Sequence, residues 1–225
     1  SRPAAAGTKP NKAKEKSGME FMKVIGLTGG IASGKSTASA YLRELGAAIV
    51  DADAISRAST RRGGAAFEAV CAAFGDILGA DGEIDRRKLG SIVFADEDAR
   101  RKLNSIVHPA VMAESRAQIE NARASGVKEC ILDVPLLFET GMEKLCDETW
   151  LISLDRATQA ERLMARDGMT REQAEARIDS QMPLEEKERR ATVVIDNRRS
   201  VEKLNSEVGS LYQALKKRIE RMENE

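Results

Sequence analysis

The chain has 225 residues, enough for one domain with insertions or for two small domains. Lysine plus arginine and aspartate plus glutamate each number 36, so the formal net charge is zero, which argues against a general binder of nucleic acids or membrane surfaces. The sequence has no run of 18 apolar residues that would predict a membrane span, and its aromatic content of 4% is too low for platforms that stack single-stranded bases.

Residues 1–20 are polar, lysine-rich and without periodicity. They predict a flexible tail or a remnant of an expression tag, with a basic arm or a targeting segment as alternatives. They contain no apolar stretch typical of a secretory signal. The three cysteines (Cys71, Cys130 and Cys146) show no C-x-x-C spacing, which predicts buried free thiols in a reducing, cytoplasmic compartment.

The first structured segment, residues 24–37, reads VIGLTGGIASGKST. Its last part fits the phosphate-loop pattern G-x-x-x-x-G-K-[ST] through Gly29, Gly34, Lys35 and Ser36. The apolar run before the loop predicts a buried strand, and a helix is expected after it. The alternative is a chance glycine-rich turn, which the strand–loop–helix context disfavours.

Each polar residue of this loop has an expected task. Glycines let the backbone point several N–H groups inward, and the following helix adds its positive end. Lys35 is expected to reach the β- and γ-phosphates, and the Ser36 hydroxyl to ligate Mg²⁺. Thr37 is expected next to the α-phosphate. The sequence therefore predicts a site for ATP with Mg²⁺.

Further apolar runs along the chain predict four more strands, and the segments between them are helical by pattern. The predicted strands are 47–50, 130–132, 150–154 and 192–195. Residues 54–126 are expected to be largely helical with turns at 62–64, 79–82 and 108–109, and a final helix is expected over 201–222. Strands that alternate with helices predict a doubly wound α/β fold with a five-stranded parallel sheet. Ligands in such folds bind at the carboxyl ends of the strands.

An aspartate follows the strand at 130–132. Asp133 stands where an acid can hold Mg²⁺ or one of its waters in phosphate-loop enzymes. The alternative is a helix cap or turn residue, because Pro135 follows closely.

Two aspartates, Asp51 and Asp53, follow the strand at 47–50. In an extended segment, residues i and i+2 point the same way. Asp53 is then expected to accept a proton from an attacking hydroxyl, whereas Asp51 caps the turn or holds a Mg²⁺-bound water. A turn role for both carboxylates stays open.

Residues 157–190 predict arginine-rich helices. Arg162 and Arg166 share a helix face, and such arginines can stabilise the charge that develops during phosphoryl transfer. A mobile flap would also exclude water. The alternative is a solvated face, because glutamates and aspartates are interleaved with the arginines.

The motifs together resemble the dephospho-coenzyme A kinase family. The resemblance covers about residues 22–220 and rests on these segments in order: LTGGIASGKST, IVDADAISR, DRRKLGSIVF, LNSIVHP, LDVPLLFETG, ERLMARDGMTREQAEARI with Gln181, and VIDN. It implies a phosphate-loop kinase fold with a helical substrate-binding insertion and a helical lid. It also implies transfer of the ATP γ-phosphoryl group to the ribose 3′-hydroxyl of dephospho-coenzyme A.

The resemblance also implies residue roles. Gly30 and the segment from Ala32 through Ser33 and Gly34 to Thr37 match the ATP phosphate loop, and Thr28 matches a threonine near the transferring phosphoryl group. Asp53 matches the proposed base, and Arg57 lies in the same substrate-side motif. Arg162 matches the lid arginine that contacts phosphate in the family, and Asn197 matches an asparagine near the adenine. His108-Pro109 matches a pair in the substrate-binding insertion.

One matched residue has a structural alternative, and two places depart from the family pattern. His108 has a structural alternative, a turn before a helix with Pro109 at the first helical position. Ala32 replaces a usual glycine, and its methyl group is tolerated if φ stays negative. Arg198 and Arg199 follow Asn197 where many members carry Asn-Gly, which is expected to alter the adenine edge or its salt dependence.

The expected organisation is a tail (1–20) followed by a single kinase domain (21–225). The nucleotide core is expected to comprise 21–53, 127–155 and 191–225, with an insertion at 54–126 and a lid at 156–190. The expected partner is dephospho-coenzyme A, with neither nucleic acid nor membrane, and a monomer is favoured. The alternatives are another nucleoside or nucleotide kinase and a slow nucleotide switch, although the chain lacks the N-K-x-D guanine signature.

Overall fold

The computed structural model describes residues 21–224, so the expected tail lies outside the described residues. The strands are β1 (Lys23–Gly29), β2 (Ala48–Asp51), β3 (Glu129–Asp133), β4 (Glu148–Ser153) and β5 (Val193–Asp196). The helices are α1 (Lys35–Glu44), α2 (Ala52–Ser59), α3 (Phe67–Phe74), α4 (Arg86–Ala95), α5 (Glu97–Ala124), α6 (Arg156–Asp167), α7 (Arg171–Asp179), α8 (Leu184–Arg190) and α9 (Val201–Asn224), with a 3₁₀ turn at Met142–Leu145. All five predicted strands are confirmed.

The five strands form one parallel sheet in the order β2-β3-β1-β4-β5. β1 lies in the centre, because it pairs with β3 on one side and with β4 on the other. The strands are continuous apolar runs since helices cover both faces of the sheet. The predicted doubly wound α/β fold is confirmed, and the carboxyl ends of all strands meet at one edge.

The core consists of two apolar layers, one on each face of the sheet. On β1, Val24 packs into one layer with residues of α2, α3 and α5, whereas Ile25 and Leu27 pack into the other with α1 and α9. This alternation follows from the period of two along a strand. Within residues 21–224, every helix is too short or too polar to cross a bilayer.

The segment between β2 and β3 is helical, as predicted, with one correction. The expected turn at His108-Pro109 is absent, because Pro109 lies inside the 28-residue helix α5. A proline there lacks the N–H that would bond the Ser105 carbonyl. The helix nevertheless continues, since Val107 and Val111 on either side are buried in the core.

The helical segment predicted over 157–190 consists of three helices, α6, α7 and α8. A small apolar cluster holds α6 and α7 together through Leu163 and Ala174, and Ile31 and Ala32 of the phosphate loop pack against it. Helices α6 and α7 therefore rest directly on that loop. The functional division into core, insertion and lid stays a prediction.

Candidate active site

The phosphate loop joins β1 to α1 with a left-handed residue just before the helix. Gly34 has φ of 97°. A Cβ at this position would lie 2.2 Å from Nδ2 of Asn197, so glycine is required both by backbone conformation and by space.

The backbone of Ala32 was expected to keep a negative φ, and this expectation is wrong. Its φ is 58°, so the methyl group sits in the left-handed region rather than at negative φ. Such a conformation costs an L-residue about 1–2 kcal/mol. Curling the loop so that successive N–H groups face inward requires this conformation, because anion nests alternate right- and left-handed residues.

Asn197 directly follows β5 and is buried against the phosphate loop. Its Nδ2 donates a hydrogen bond to the Ser33 carbonyl at 2.6 Å, and its backbone N–H donates to the Ser153 carbonyl at 2.9 Å. Asn197 therefore connects the end of β5 to the loop. A contact with adenine stays a prediction for this residue.

Lys35 and Asp133 form an ion pair at the mouth of the loop. Asp133 is the last residue of β3 and lies in register with Asp51 of β2 and Leu27 of β1. Its carboxylate is thus held by the phosphate-loop lysine rather than by a helix end. Ser36 is the second residue of α1 and is exposed, and Thr37, the next residue, is half-buried.

Asp51 and Asp53 do not lie in an extended segment, so the expectation that they point the same way is wrong. Asp51 is the N-cap of α2, and its carboxylate accepts a hydrogen bond from the Ala54 N–H at 2.9 Å. Asp53 lies in the first turn of that helix, because the chain turns into α2 immediately after β2. The capping alternative for Asp51 is therefore the observed arrangement.

Asp53 is an exposed residue, and it lines the opening of a cavity. Partial desolvation by the surrounding protein raises the pKa of this carboxyl, and the charges of Asp51 and Asp133 raise it further. Lys35 and Arg57 act in the opposite direction and lower it. A carboxylate with a raised pKa is a better proton acceptor than an ordinary aspartate.

A cavity of about 300 Å³ opens beside Asp53. α2, α5 and the segment after β3 form its walls, which are mostly apolar. The lining includes Asp53, Ser56, His108, Met112, Leu136 and Gln181. Desolvation lowers the pKa of His108, which keeps its imidazole neutral at neutral pH. His108 thus belongs to the wall of a cavity and not to a turn.

The five arginines of α6 and α7 separate into two groups. Four of them are paired with acids, as the solvated-face alternative expected: Arg156 with Asp179, Arg166 and Arg177 with Asp167, and Arg171 with Glu175. Arg162 has no carboxylate partner in residues 21–224. It donates hydrogen bonds to the carbonyls of Ala32 at 3.4 Å and Asn197 at 3.3 Å, which places its guanidinium at the phosphate loop.

A family model described as dephospho-CoA kinase matches residues 23–203, most of the chain. The chain belongs to this family. All the site residues discussed above lie within the matched span.

Individual dephospho-CoA kinases show the same similarity. One from Geobacillus kaustophilus is 53% identical over 174 residues, which is 77% of this chain and 87% of the relative. One from Symbiobacterium thermophilum is 50% identical over 194 residues, 86% of this chain and 81% of the relative.

Two solved structures share the fold across nearly their whole length. A Thermus thermophilus protein is 36% identical with a TM-score of 0.72, over 87% of this chain and 98% of that one. A dephospho-CoA kinase from Campylobacter jejuni is 28% identical with a TM-score of 0.67, over 86% of this chain and 97% of that one.

The structure brings most of the predicted residues of this dephospho-CoA kinase family member to one edge of the sheet, whereas the hydroxyl of Thr28 is engaged in the protein interior. Thr28 is fully buried, and its hydroxyl donates to the Pro135 carbonyl at 3.0 Å. It ties the end of β1 to the segment after β3. Its expected place near the transferring phosphoryl group stays a prediction.

Gln181 is a site residue to which the sequence assigned no role. Its Oε1 accepts a hydrogen bond from the Ile31 N–H of the phosphate loop at 2.9 Å. The same residue lines the cavity beside Asp53. No local pattern predicts such a contact, because the two residues are 150 positions apart.

Proposed function

We propose that this chain is a kinase that transfers the γ-phosphoryl group of ATP to the ribose 3′-hydroxyl of dephospho-coenzyme A. The acceptor is thus an alcohol and the products are ADP and coenzyme A. Membership of the dephospho-CoA kinase family supports the kinase activity and its substrate. The position of Asp53, between the phosphate loop and an open cavity, is the observation that carries the reaction type.

Asp53 is the base in this proposal. Its carboxylate accepts the proton of the 3′-hydroxyl while the 3′-oxygen forms a bond to the γ-phosphorus. The bond from that phosphorus to the β–γ bridging oxygen breaks, and ADP leaves. The raised pKa of Asp53 suits this role, since it brings the acid closer to the operating pH.

The phosphate loop binds ATP. Its inward N–H groups and the N-terminal end of α1 hold the phosphates, and Lys35 exchanges Asp133 for the β- and γ-phosphates. Thr37 lies one step beyond Ser36 and is placed for the α-phosphate. Asn197 keeps the loop in shape by its bond to Ser33.

The residues at the mouth of the loop fit Mg²⁺. In residues 21–224, no cluster of three or more histidine, cysteine or acidic side chains could enclose a metal ion. Mg²⁺ does not need one, because it is usually held by one or two protein oxygens, substrate phosphates and water. The Ser36 hydroxyl and the Asp133 carboxylate supply such oxygens. When bound, Mg²⁺ would neutralise phosphate charge and polarise the transferring group.

Arg162 stabilises charge on the transferring phosphoryl group from the lid side. It is the arginine of α6 and α7 without a carboxylate partner in the described part of the chain, so its guanidinium is free to turn from backbone carbonyls to phosphate oxygens. Those carbonyl contacts, at 3.3–3.4 Å, are long for hydrogen bonds and are easily exchanged.

The cavity beside Asp53 holds the adenosine end of the acceptor. Its walls are mainly apolar, as suits an adenine ring, and Ser56 and His108 supply polar groups.

The monomeric state and the cytoplasmic location of the protein also remain proposals. The free thiols of Cys71, Cys130 and Cys146 support a reducing compartment, although only Cys130 is fully buried.

The test is ADP release from Mg²⁺–ATP with and without dephospho-coenzyme A, with mass analysis of the acceptor. We expect release to depend on the acceptor and one phosphate to be added to its ribose. Equal release without acceptor would mean that the phosphoryl group goes to water. A panel of nucleosides and nucleotides would expose another kinase specificity.

A further inference from the structure

A second cleft lies one helical turn along α2 from Asp53. It has a volume of about 470 Å³, and its wall comprises Arg57, Thr60, Arg61, Glu83, Ile84 and Arg86. We call it the arginine cleft. Three arginines and one glutamate give these side chains a net charge of +2 at neutral pH.

The arginines of this cleft lack the acidic partners that other arginines have. In residues 21–224, Arg57 and Arg61 make no side-chain hydrogen bond or ion pair, whereas four lid arginines are paired with carboxylates. Arg86 donates only one long bond, to the Arg57 carbonyl at 3.4 Å. Unpaired like charges in one cleft repel each other, and a bound anion removes that repulsion.

We propose that the arginine cleft binds the 5′-diphosphate of the acceptor and thereby selects acceptors that carry one. This inference rests on the proposed function, because it places a second part of the same acceptor molecule. It adds Arg61 and Arg86 to the binding residues and gives Arg57 a specific ligand.

The spacing along α2 fits the acceptor. Asp53 and Arg57 are four residues apart and share a helix face, with a rise of about 6 Å between them. The 3′-hydroxyl and the 5′-phosphate of a nucleotide belong to one ribose, so only a few bonds separate them. A ribose whose 3′-oxygen meets Asp53 therefore brings its diphosphate within reach of the Arg57 side chain. Arg57 is close enough to Asp53 for its positive charge to lower the pKa of that carboxyl.

The chemistry of the cleft matches a diphosphate diester. Such a group carries two negative charges at neutral pH, which balance the net charge of the lining. Guanidinium groups donate paired N–H bonds to phosphate oxygens, a geometry that lysine cannot reproduce. The cleft therefore favours dephospho-coenzyme A over a free nucleoside with the same 3′-hydroxyl.

The experiment measures steady-state kinetics of Arg57→Ala, Arg61→Ala and Arg86→Ala with dephospho-coenzyme A and with adenosine. We expect the KM for dephospho-coenzyme A to rise at least fivefold in Arg57→Ala and Arg86→Ala. The KM for ATP should change by less than twofold. The preference for dephospho-coenzyme A over adenosine, as a ratio of kcat/KM values, should fall by a similar factor.

The matched control is Arg43→Ala, which removes an exposed arginine from α1 on the opposite side of the sheet. Calorimetric titration with dephospho-coenzyme A gives its Kd directly, and thermal unfolding verifies that each variant is folded. A Kd and KM within fivefold of wild type in both Arg57→Ala and Arg86→Ala would overturn the inference. If wild type itself fails to phosphorylate dephospho-coenzyme A, the proposed function fails instead, so the two failures are distinct.

Discussion

The side chain of Gln181, between α7 and α8, accepts a hydrogen bond from the backbone N–H of Ile31 in the phosphate loop. The next residue, Met182, donates its N–H to Glu139 at 3.1 Å, and Glu139 also pairs with the buried Lys187 at 2.8 Å. One short stretch between α7 and α8 is thus bonded to the phosphate loop and to the segment that forms a wall of the cavity beside Asp53. The relationship couples the position of the phosphate loop to that of the cavity wall.

Replacing Gln181 by methionine should loosen this coupling without changing side-chain volume much. A neutral hydrogen bond contributes about 0.5–1.5 kcal/mol. We therefore expect kcat to fall up to about tenfold. ADP release without acceptor should rise relative to phosphorylated acceptor, because a loosened lid admits water. Gln213→Met, an exposed change on α9, is the control. An unchanged ratio of ADP to phosphorylated acceptor would show that the bond does not matter for coupling.

Asp53→Asn should remove the base while preserving shape. General-base catalysis contributes about 10²–10⁴-fold, so we expect kcat to fall by that factor. The affinity for ATP, measured by calorimetry, should change little because Asp53 does not contact the phosphate loop in the proposed complex. Asp98→Asn, an exposed carboxylate on α5, should leave both quantities unchanged. Turnover near the wild-type value in Asp53→Asn would remove Asp53 from the base role.

The acid side of the pH profile should report the pKa of Asp53. Activity requires the ionised carboxylate, so it is lost as the pH falls through this pKa. The charge of Asp51 raises the pKa of Asp53, and Asp51→Asn removes that charge. The acid limb should therefore move to lower pH. Asparagine is as good an N-cap as aspartate, so α2 should remain capped. A limb that stays in place or moves to higher pH would contradict the assignment.

The sequence alone predicts the five strands of the sheet and the edge at which the candidate site residues lie. Each strand is an apolar run followed by a polar residue, and parallel sheets bring such residues together. This rule or the family resemblance predicts Lys35, Asp133, Asp53 and Asn197, and the structure groups them at one edge.

What the sequence missed depends on conformation and on distant contacts. The turn from β2 into α2 puts Asp53 on a helix, although its spacing from Asp51 suited a strand. Pro109 suits the first position of a helix, but the apolar core holds α5 together around it. The positive φ of Ala32 follows from the curl of the loop and not from the residue type. The contact from Gln181 to Ile31 is fixed only by the packing of α6 and α7 on the loop.

Asn197→Ala should test whether this residue supports the loop or contacts adenine. Its Nδ2 bonds the Ser33 carbonyl in a buried setting, so alanine leaves that carbonyl unpaired. We expect the free energy of unfolding of the ligand-free protein to fall by about 1–3 kcal/mol. The affinities for ATP and GTP should fall by the same factor, since a deformed loop binds any triphosphate less well.

The control is Asn104→Ala, an exposed change on α5. Chemical denaturation and calorimetry with both nucleotides give the required quantities. A contact with adenine alone predicts the opposite pattern, in which stability is unchanged and only the affinity for ATP falls. The two roles can therefore be separated, because only the support role requires the ligand-free protein to lose stability when a buried carbonyl loses its donor.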